Sequence, residues 1–372
     1  MKPHARIRRR VLSVAVALSA ATVLAPATAR AAGFQAHLVA GGLNFPAAFT
    51  FTPGGRIFYG ERFSGEIHIL TPANHANHVF LRVPNVVTNG EQGLLGLALH
   101  PHYPNTPLVY AYATRNVNGN LRDQILRIRN SGGHGTNMTV IMSSKTTSGS
   151  YHDGGRILFG PDGMLYAVQG EAHNSSNAQN LHNTAGKILR LTPAGKAAPG
   201  NPFINSSTRD RRIWAFGIRN SFGFAFDPRI NRLWETEAGP SCNDEVNRIV
   251  KGGNFGWGPN ETCSGSSPWN TNNSGPRPRI GPKLWYGPPM ITPTGIVFCQ
   301  RCGLGRNSGG RLFFGAYNTG QIRRVTLTSN RLGVVSQSVV YRHSDGVLSM
   351  ERSPEGGIYF SDSGHIYKLI KT

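Results

Sequence analysis

Gly155-Arg-Ile-Leu-Phe-Gly-Pro-Asp-Gly-Met-Leu-Tyr166, followed downstream by Gly186-Lys-Ile-Leu-Arg-Leu191, is the stretch on which the fold turns. It reads as a short strand, a Pro-Asp-Gly turn in which glycine supplies the positive φ, a second strand, and a third strand opened by glycine. The same grammar recurs. Phe49-Thr-Phe-Thr-Pro-Gly-Gly-Arg-Ile-Phe-Tyr-Gly-Glu61 leads to Gly65-Glu-Ile-His-Ile-Leu70, and Phe222-Gly-Phe-Ala-Phe-Asp-Pro228 leads to Asn231–Glu237 and Glu245–Val250. Gly310-Arg-Leu-Phe-Phe-Gly315 closes at Gly320-Gln-Ile-Arg-Arg-Val325, and Pro354-Glu-Gly-Gly-Ile-Tyr-Phe360 closes at Gly364-His-Ile-Tyr-Lys-Leu369. Repeated antiparallel units of this kind are propeller blades. The 340 residues from 33 to 372 divide into six units of about 57, a little above the ~40–50 residues of common blades. The expectation is an all-β, six-bladed propeller of four-stranded antiparallel blades over 33–372, with seven blades as the alternative. The Ser- and Asn-rich stretches at 130–150 and 260–280 read as loops.

Composition agrees with that pattern. Gly and Pro number 46 and 24, about a fifth of the 372 residues, and only 15% are charged. A coiled coil or helical bundle is excluded by this balance. The 18 Phe, 11 Tyr and 5 Trp exclude a disordered chain, because they can fill a core.

Residues 1–32 read as an export signal of bacterial type. Lys2, Arg6, Arg8, Arg9 and Arg10 form a basic region, an apolar run follows from Val11 to about Ala25, and Ala27-Thr-Ala29 and Ala29-Arg-Ala31 offer small-residue cleavage sites. Arg8-Arg9-Arg10-Val11-Leu12 leaves general and twin-arginine export both open. The remaining chain has no apolar run long enough to cross a bilayer, so the mature protein is expected to be secreted or otherwise outside the cytoplasm.

Without the signal, 33 basic residues stand against 18 acidic ones, a net charge near +15. Such a surface attracts anionic cell-envelope polymers. The basic residues are scattered and no nucleic-acid-reading motif accompanies them, so no specific nucleic acid is expected. The four cysteines, Cys242, Cys263, Cys299 and Cys302, all lie in the exported part. Two local disulfides, Cys242–Cys263 and Cys299–Cys302, are the preferred pairing; a four-cysteine zinc site is the competing one.

Several segments are more specific than generic blades. They are Gly90-Glu-Gln-Gly-Leu-Leu-Gly-Leu-Ala-Leu-His-Pro101, Tyr151-His-Asp-Gly-Gly-Arg156, Gly170-Glu-Ala-His173, Phe216-Gly-Ile-Arg-Asn-Ser221, Glu237-Ala-Gly-Pro-Ser-Cys-Asn-Asp-Glu-Val-Asn-Arg-Ile249 and Gly252-Gly-Asn-Phe-Gly-Trp257. In this order they closely resemble the glucose/sorbosone dehydrogenase family, strongly from about Leu38 to Trp257 and weakly beyond. The resemblance implies an exported six-bladed propeller that uses pyrroloquinoline quinone (PQQ) and calcium to oxidise a sugar or polyol hydroxyl, passing electrons to an external acceptor.

It also implies roles. His152 matches the base that takes the sugar hydroxyl proton, work that a neutral imidazole suits. Glu171 matches its acidic partner. Arg219 and Asn220 match an Arg-Asn pair at the cofactor, where a guanidinium stabilises developing negative charge. Gly239 and Pro240 match residues whose carbonyls bind the cofactor calcium, and oxygen donors suit a hard cation. Asp244 and Glu245 match nearby acidic positions, Glu245 at one linked to structural calcium. Glu91 stands where catalytic members carry a glutamine near the substrate.

The C-terminal part departs from the pattern. The family's cofactor-holding lysine corresponds to Asn318, and its two arginines to Gly346 and Leu348. Arg323, Arg324 and Arg342 lie nearby, and blade-edge packing is the role expected of them. Two other functions therefore stay open: a propeller of the same descent that binds carbohydrate or protein without cofactor, and a calcium-dependent lactonase. No set of residues for the central carboxylate cage a lactonase needs is evident.

Overall fold

The computed structural model describes residues 33–146, 149–259 and 280–372. Its strands fall into six four-stranded antiparallel sheets. Blade one runs through Pro46–Phe51, Ile57–Glu61, Glu66–Thr71 and Ala76–Arg82. Blade two comprises Leu94–Leu99, Leu108–Val117, Asn120–Ser131 and His134–Lys145. Blade three comprises Ile157–Phe159, Leu165–Gln169, Lys187–Leu191 and Ile213–Phe216. Blade four follows with Ser221–Asp227, Arg232–Glu237, Asp244–Arg248 and Leu284–Tyr286, and blade five with Pro293–Phe298, Leu312–Ala316, Gln321–Leu327 and Val334–Arg342. Blade six takes Ser349–Arg352, Ile358–Ser361 and Ile366–Lys371 from the end of the chain. Its outer strand, Phe34–Ala40, comes from the beginning and pairs antiparallel with Ile366–Lys371. This closes the ring and covers an edge that would otherwise be open.

Packing follows from the blade pattern. The first strands of the blades touch one another in succession and close a circle, blade six against blade one. Each of six apolar clusters lies between two consecutive blades rather than inside one. Phe58, Ile67 and Leu126 join blades one and two; Trp234, Phe298 and Leu312 join four and five. Tyr59, Leu70, Tyr359 and Ile366 join one and six. Second strands such as Leu165–Gln169 and Leu312–Ala316 are buried throughout, while the outer strands face water.

That gradient corrects one expectation. The Ser- and Asn-rich stretch at 130–150 is not a loop over most of its length, because residues His134–Lys145 form the outer strand of blade two. A rim strand is solvated on most of its surface, so Thr, Ser and Asn serve it well and hide its alternation. The expected loop at 260–280 falls almost wholly outside the described residues, as do the 1–32 segment and Cys263, hence the Cys242–Cys263 pairing. Cys299 and Cys302 stand at bonding separation, with Cα atoms 5.2 Å apart.

At one end of the axis the inner strands are bulged, at Pro46/Ala48, Leu94/Gly96, Ser221/Gly223 and Pro293/Ile296. Bulges of this kind re-aim side chains. Inner strands approach so closely here that a Cβ at Gly96 or Gly223 would collide with the carbonyl of Gly155 or Thr294 on the next blade. Hydroxyls complete the ring: Tyr112 donates to the Asp153 carbonyl at 3.0 Å, and Ser361 to that of Pro46 at 2.9 Å.

Candidate active site

The bulged end of the axis opens into a cavity of about 550 Å³. Every blade contributes to its wall. Phe45, Ala47 and Arg62 come from blade one, Glu91 and Leu95 from the approach to blade two, and His152 and Arg156 from the approach to blade three. Arg219, Asn220 and Gly239 belong to blade four, Thr292, Thr294 and Tyr317 to blade five, and Leu348 to blade six.

His152 is 7% exposed and takes a left-handed backbone conformation, φ +64°. A non-glycine residue held there carries strain that the surrounding contacts must offset. Those contacts are specific. Nδ1 of the ring meets Oε1 of Glu171, which is 2% exposed, and the His152 N–H donates to Glu91 Oε2 at 2.9 Å. The ring of His173 packs edge-on against the imidazole at 5.1 Å. A carboxylate accepts, so Nδ1 carries the proton in this arrangement, and Nε2 is left with its lone pair.

Glu91 does more than line the wall. The same Oε2 accepts from Asn220 Nδ2 at 2.8 Å, so one carboxylate ties the loops entering blades three and four. Arg219 lies over the ring of Trp257 at 5.3 Å, its Nη1 donates to the Ala238 carbonyl at 2.9 Å, and its backbone N–H donates to Glu237. Asp244 clamps the next turn. Its Oδ1 accepts from Gly239 N at 2.9 Å and its Oδ2 from the N–H groups of Ile291 and Thr292, both at 2.7 Å. A Cβ on Gly239 would strike the Cys242 carbonyl, so glycine alone fits this turn. Pro240 is exposed and outside the cavity lining. Glu245 sits directly across from Glu237 in register, and Asn247 Nδ2 donates to both, at 3.0 and 3.4 Å.

His152, Glu91, Arg219, Asn220 and Gly239 thus share one cavity, with Glu171 directly behind the imidazole. Asn318 stands beside it without lining it. Its N–H donates to the Ile291 carbonyl at 3.1 Å, and its neighbour Tyr317 takes the wall. Among the described residues, blades five and six place no cation in the lining. Arg323 instead bonds Gln321 and lies over the Tyr286 ring at 4.9 Å, as blade-edge packing requires.

Two cavity cations escape the sequence reading. Arg62 follows the second strand of blade one, where the pattern indicates only a turn. Its guanidinium lies near Phe45 and Phe63, at 5.0 and 4.7 Å, and donates to the carbonyls of Gln92 and Gly90. Burial lowers its pKa and the Glu91 charge pulls it back, so it stays cationic. Arg156 is 4% exposed and crosses the axis to Ser349, Nη2 to Oγ 2.7 Å, with Nη1 3.5 Å from Glu351.

Behind His152 lies a buried carboxyl pair. Asp153 accepts from Thr146, and Asp123 accepts from Thr114 at 2.8 Å and Gln169 at 3.1 Å. Burial pushes Asp153 up to about 6, and burial with the charge of Asp153 raises Asp123 well above the ordinary carboxylate range.

The sequence profile of the family described as Glucose / Sorbosone dehydrogenase matches residues 43–371. Quinoprotein glucose dehydrogenase B of Acinetobacter calcoaceticus is 30% identical over 259 residues, 62% of this chain and 54% of that protein. Aldose sugar dehydrogenase YliI of Escherichia coli K12 is 31% identical over 65% of each chain. The alignments therefore span about half to two thirds of these curated relatives. The PQQ-bound aldose sugar dehydrogenase of Streptomyces coelicolor superposes with a TM-score of 0.76 at 27% identity, over 92% of this chain and 99% of that one.

Proposed function

The chain belongs to the glucose/sorbosone dehydrogenase family, and from that premise we propose that it is an exported oxidoreductase that oxidises a hydroxyl of an aldose or other polyol in the axial cavity, with PQQ and calcium bound there. The convergence of His152, Arg219, Asn220 and Gly239 on one cavity, from loops distant in sequence, carries the reading.

The donor set suits such a cofactor. PQQ is a planar quinone with three carboxylates, and the cavity wall carries three guanidinium groups against the single carboxylate of Glu91. Arg156 is spent on Ser349 and the Phe222 carbonyl. Arg62 and Arg219 also hold carbonyls but are only partly buried, so they are the groups that would turn to grip an anion, and Arg62 would stand in for the cations that Asn318, Gly346 and Leu348 do not supply. Charge-assisted bonds of this kind contribute about 1.5–3 kcal/mol each. Backbone oxygen at the Gly239-Pro240 turn suits calcium, and the facing Glu237 and Glu245 carboxylates suit a structural calcium.

When bound, PQQ supplies a two-electron acceptor for the hydride of the substrate carbon. The protein's part is acid–base and positional. Nε2 of His152 takes the hydroxyl proton, and Glu171 keeps the ring in the tautomer that can accept it and steadies the imidazolium. Glu91 and Asn220 hold the His152 loop against blade four. Titration of apo-protein with PQQ and calcium, then dye reduction across a sugar panel, tests this. The absence of both a spectral change and turnover at high PQQ would overturn it.

One observation favours a second reading, a carbohydrate- or protein-binding propeller that has lost its cofactor: among the described residues, blades five and six place no cation on the wall. Glycan binding that survives His152→Ala, with no PQQ binding, would establish it.

A further inference from the structure

Blade one carries a cluster that the axial site does not use. Glu61 ends the second strand, Gly65 turns the chain at φ +71°, and Glu66 and His68 open the third strand on one face. Tyr59, the register partner of His68, stacks on its imidazole at 4.8 Å and 8°, which fixes the ring plane. Nε2 of His68 is 3.3 Å from Glu66 Oε2 and 3.8 Å from Glu61 Oε2, yet it is buried and makes no hydrogen bond. One ligand atom from each residue lies within 4.8 Å of the other two. Glu61 is itself fixed: Oε1 accepts from Asn44 N at 3.0 Å and Oε2 from the Ser64 hydroxyl at 2.9 Å. Arg82, opposite Glu66 in register, turns its Nε to the Ser64 carbonyl at 3.2 Å. The Glu66 side chain is 28% exposed and leaves a path from solvent.

We propose that Glu61, Glu66 and His68 bind a divalent first-row transition cation of the zinc or manganese class, with water completing its coordination. Bonds of about 2.0–2.2 Å to oxygen and nitrogen place neighbouring ligand atoms about 3.0–3.4 Å apart; the 3.3 Å between His68 and Glu66 meets this, and the 3.8 Å between His68 and Glu61 requires a small side-chain shift on binding. Nε2 makes a hydrogen bond to neither carboxylate. Mixed imidazole and carboxylate donors fit zinc or manganese, whereas calcium takes oxygen alone. Held carboxylates and a stacked imidazole are the outer-shell support such ligands need. The cation staples the hairpin turn that starts after Glu61 and contains the cavity arginine Arg62.

The test uses the full chain stripped with chelator and free of PQQ, so its outcome is independent of the axial reading. Zinc chloride is titrated calorimetrically, and cobalt serves as a visible-spectrum probe. One equivalent should bind and raise the melting temperature. Glu66→Gln and His68→Gln should each weaken this binding about tenfold or more, and calcium at equal concentration should not displace zinc. Unchanged affinity in both variants, or no binding to folded wild-type protein, overturns the proposal. Should His68→Gln fail to fold, Glu66→Gln decides alone, because its side chain sits at the solvated edge.

Discussion

Nδ1 of His152 faces Oε1 of Glu171, one residue entering blade three and the other leaving its second strand, and this leaves Nε2 as the ring nitrogen with a lone pair to offer the cavity. The pairing decides tautomer and orientation together, because a carboxylate accepts only from an N–H. A functional consequence follows for each partner.

Replacing His152 by Gln removes the proton acceptor, and sugar oxidation should fall about 10²–10⁴-fold in kcat, the usual contribution of a positioned general base. Glu171→Gln should lower kcat in the same direction while leaving PQQ affinity unchanged. Steady-state dye-linked assays beside a cofactor titration measure both. Full activity in His152→Gln would remove the imidazole from the chemistry.

Arg62 and Arg219 should each contribute to holding an anionic cofactor. Alanine at either position should weaken PQQ binding about 10- to 100-fold, corresponding to the ~1.5–3 kcal/mol of a charge-assisted bond. The affinity should fall with added salt, less steeply in each variant. Fluorescence or calorimetric titration of apo-protein reads the effect without turnover. Equal affinity in Arg62→Ala would assign that cation to packing between Phe45 and Phe63.

Glu91→Gln keeps an acceptor oxygen for the His152 N–H and Asn220 Nδ2 but removes a negative charge from the wall. PQQ should bind up to about tenfold more tightly at low salt, since a nearby unit charge in a partly desolvated site is worth on the order of 1 kcal/mol. The thermal midpoint should change little. Weaker binding would mean that the carboxylate helps to hold the ligand.

Asp153 gives the stability a defined pH dependence. Burial raises its folded-state pKa to about 6, above the ordinary 3.8. Between those values the folded protein retains a proton that the unfolded chain has released, so this group costs stability as pH rises from about 4 through 6, and the cost is complete above that range. Asp153→Asn should therefore gain on the wild type in urea denaturation at pH 7–8 and match it near pH 4. A variant less stable than wild type at pH 8 would contradict this sign.

The blade unit was legible because its signals are local; five copies stand out, and the sixth, blade two, follows only from dividing the length by six. A Pro-Asp-Gly turn such as Pro161–Gly163, or a glycine opening a third strand such as Gly186, is set by the φ values a few residues can adopt, and the repeats carry it. His152, Glu171, Arg219 and Asn220 were legible through motif order, and they do meet. What the sequence did not reveal depends on neighbours far along the chain. The rim strand His134–Lys145 is a strand because it pairs with Asn120–Ser131, although its solvated Thr and Ser residues read as loop. Arg62 becomes a cavity cation only because ring closure seats blade one between blades six and two, where it shares the axial cavity with residues of blade five. Glu91 becomes a clamp only because Asn220, 129 residues away, reaches the same oxygen as the His152 N–H. Local sequence determines the repeated strand-turn-strand unit; closing six units into a ring decides which side chains share the axis.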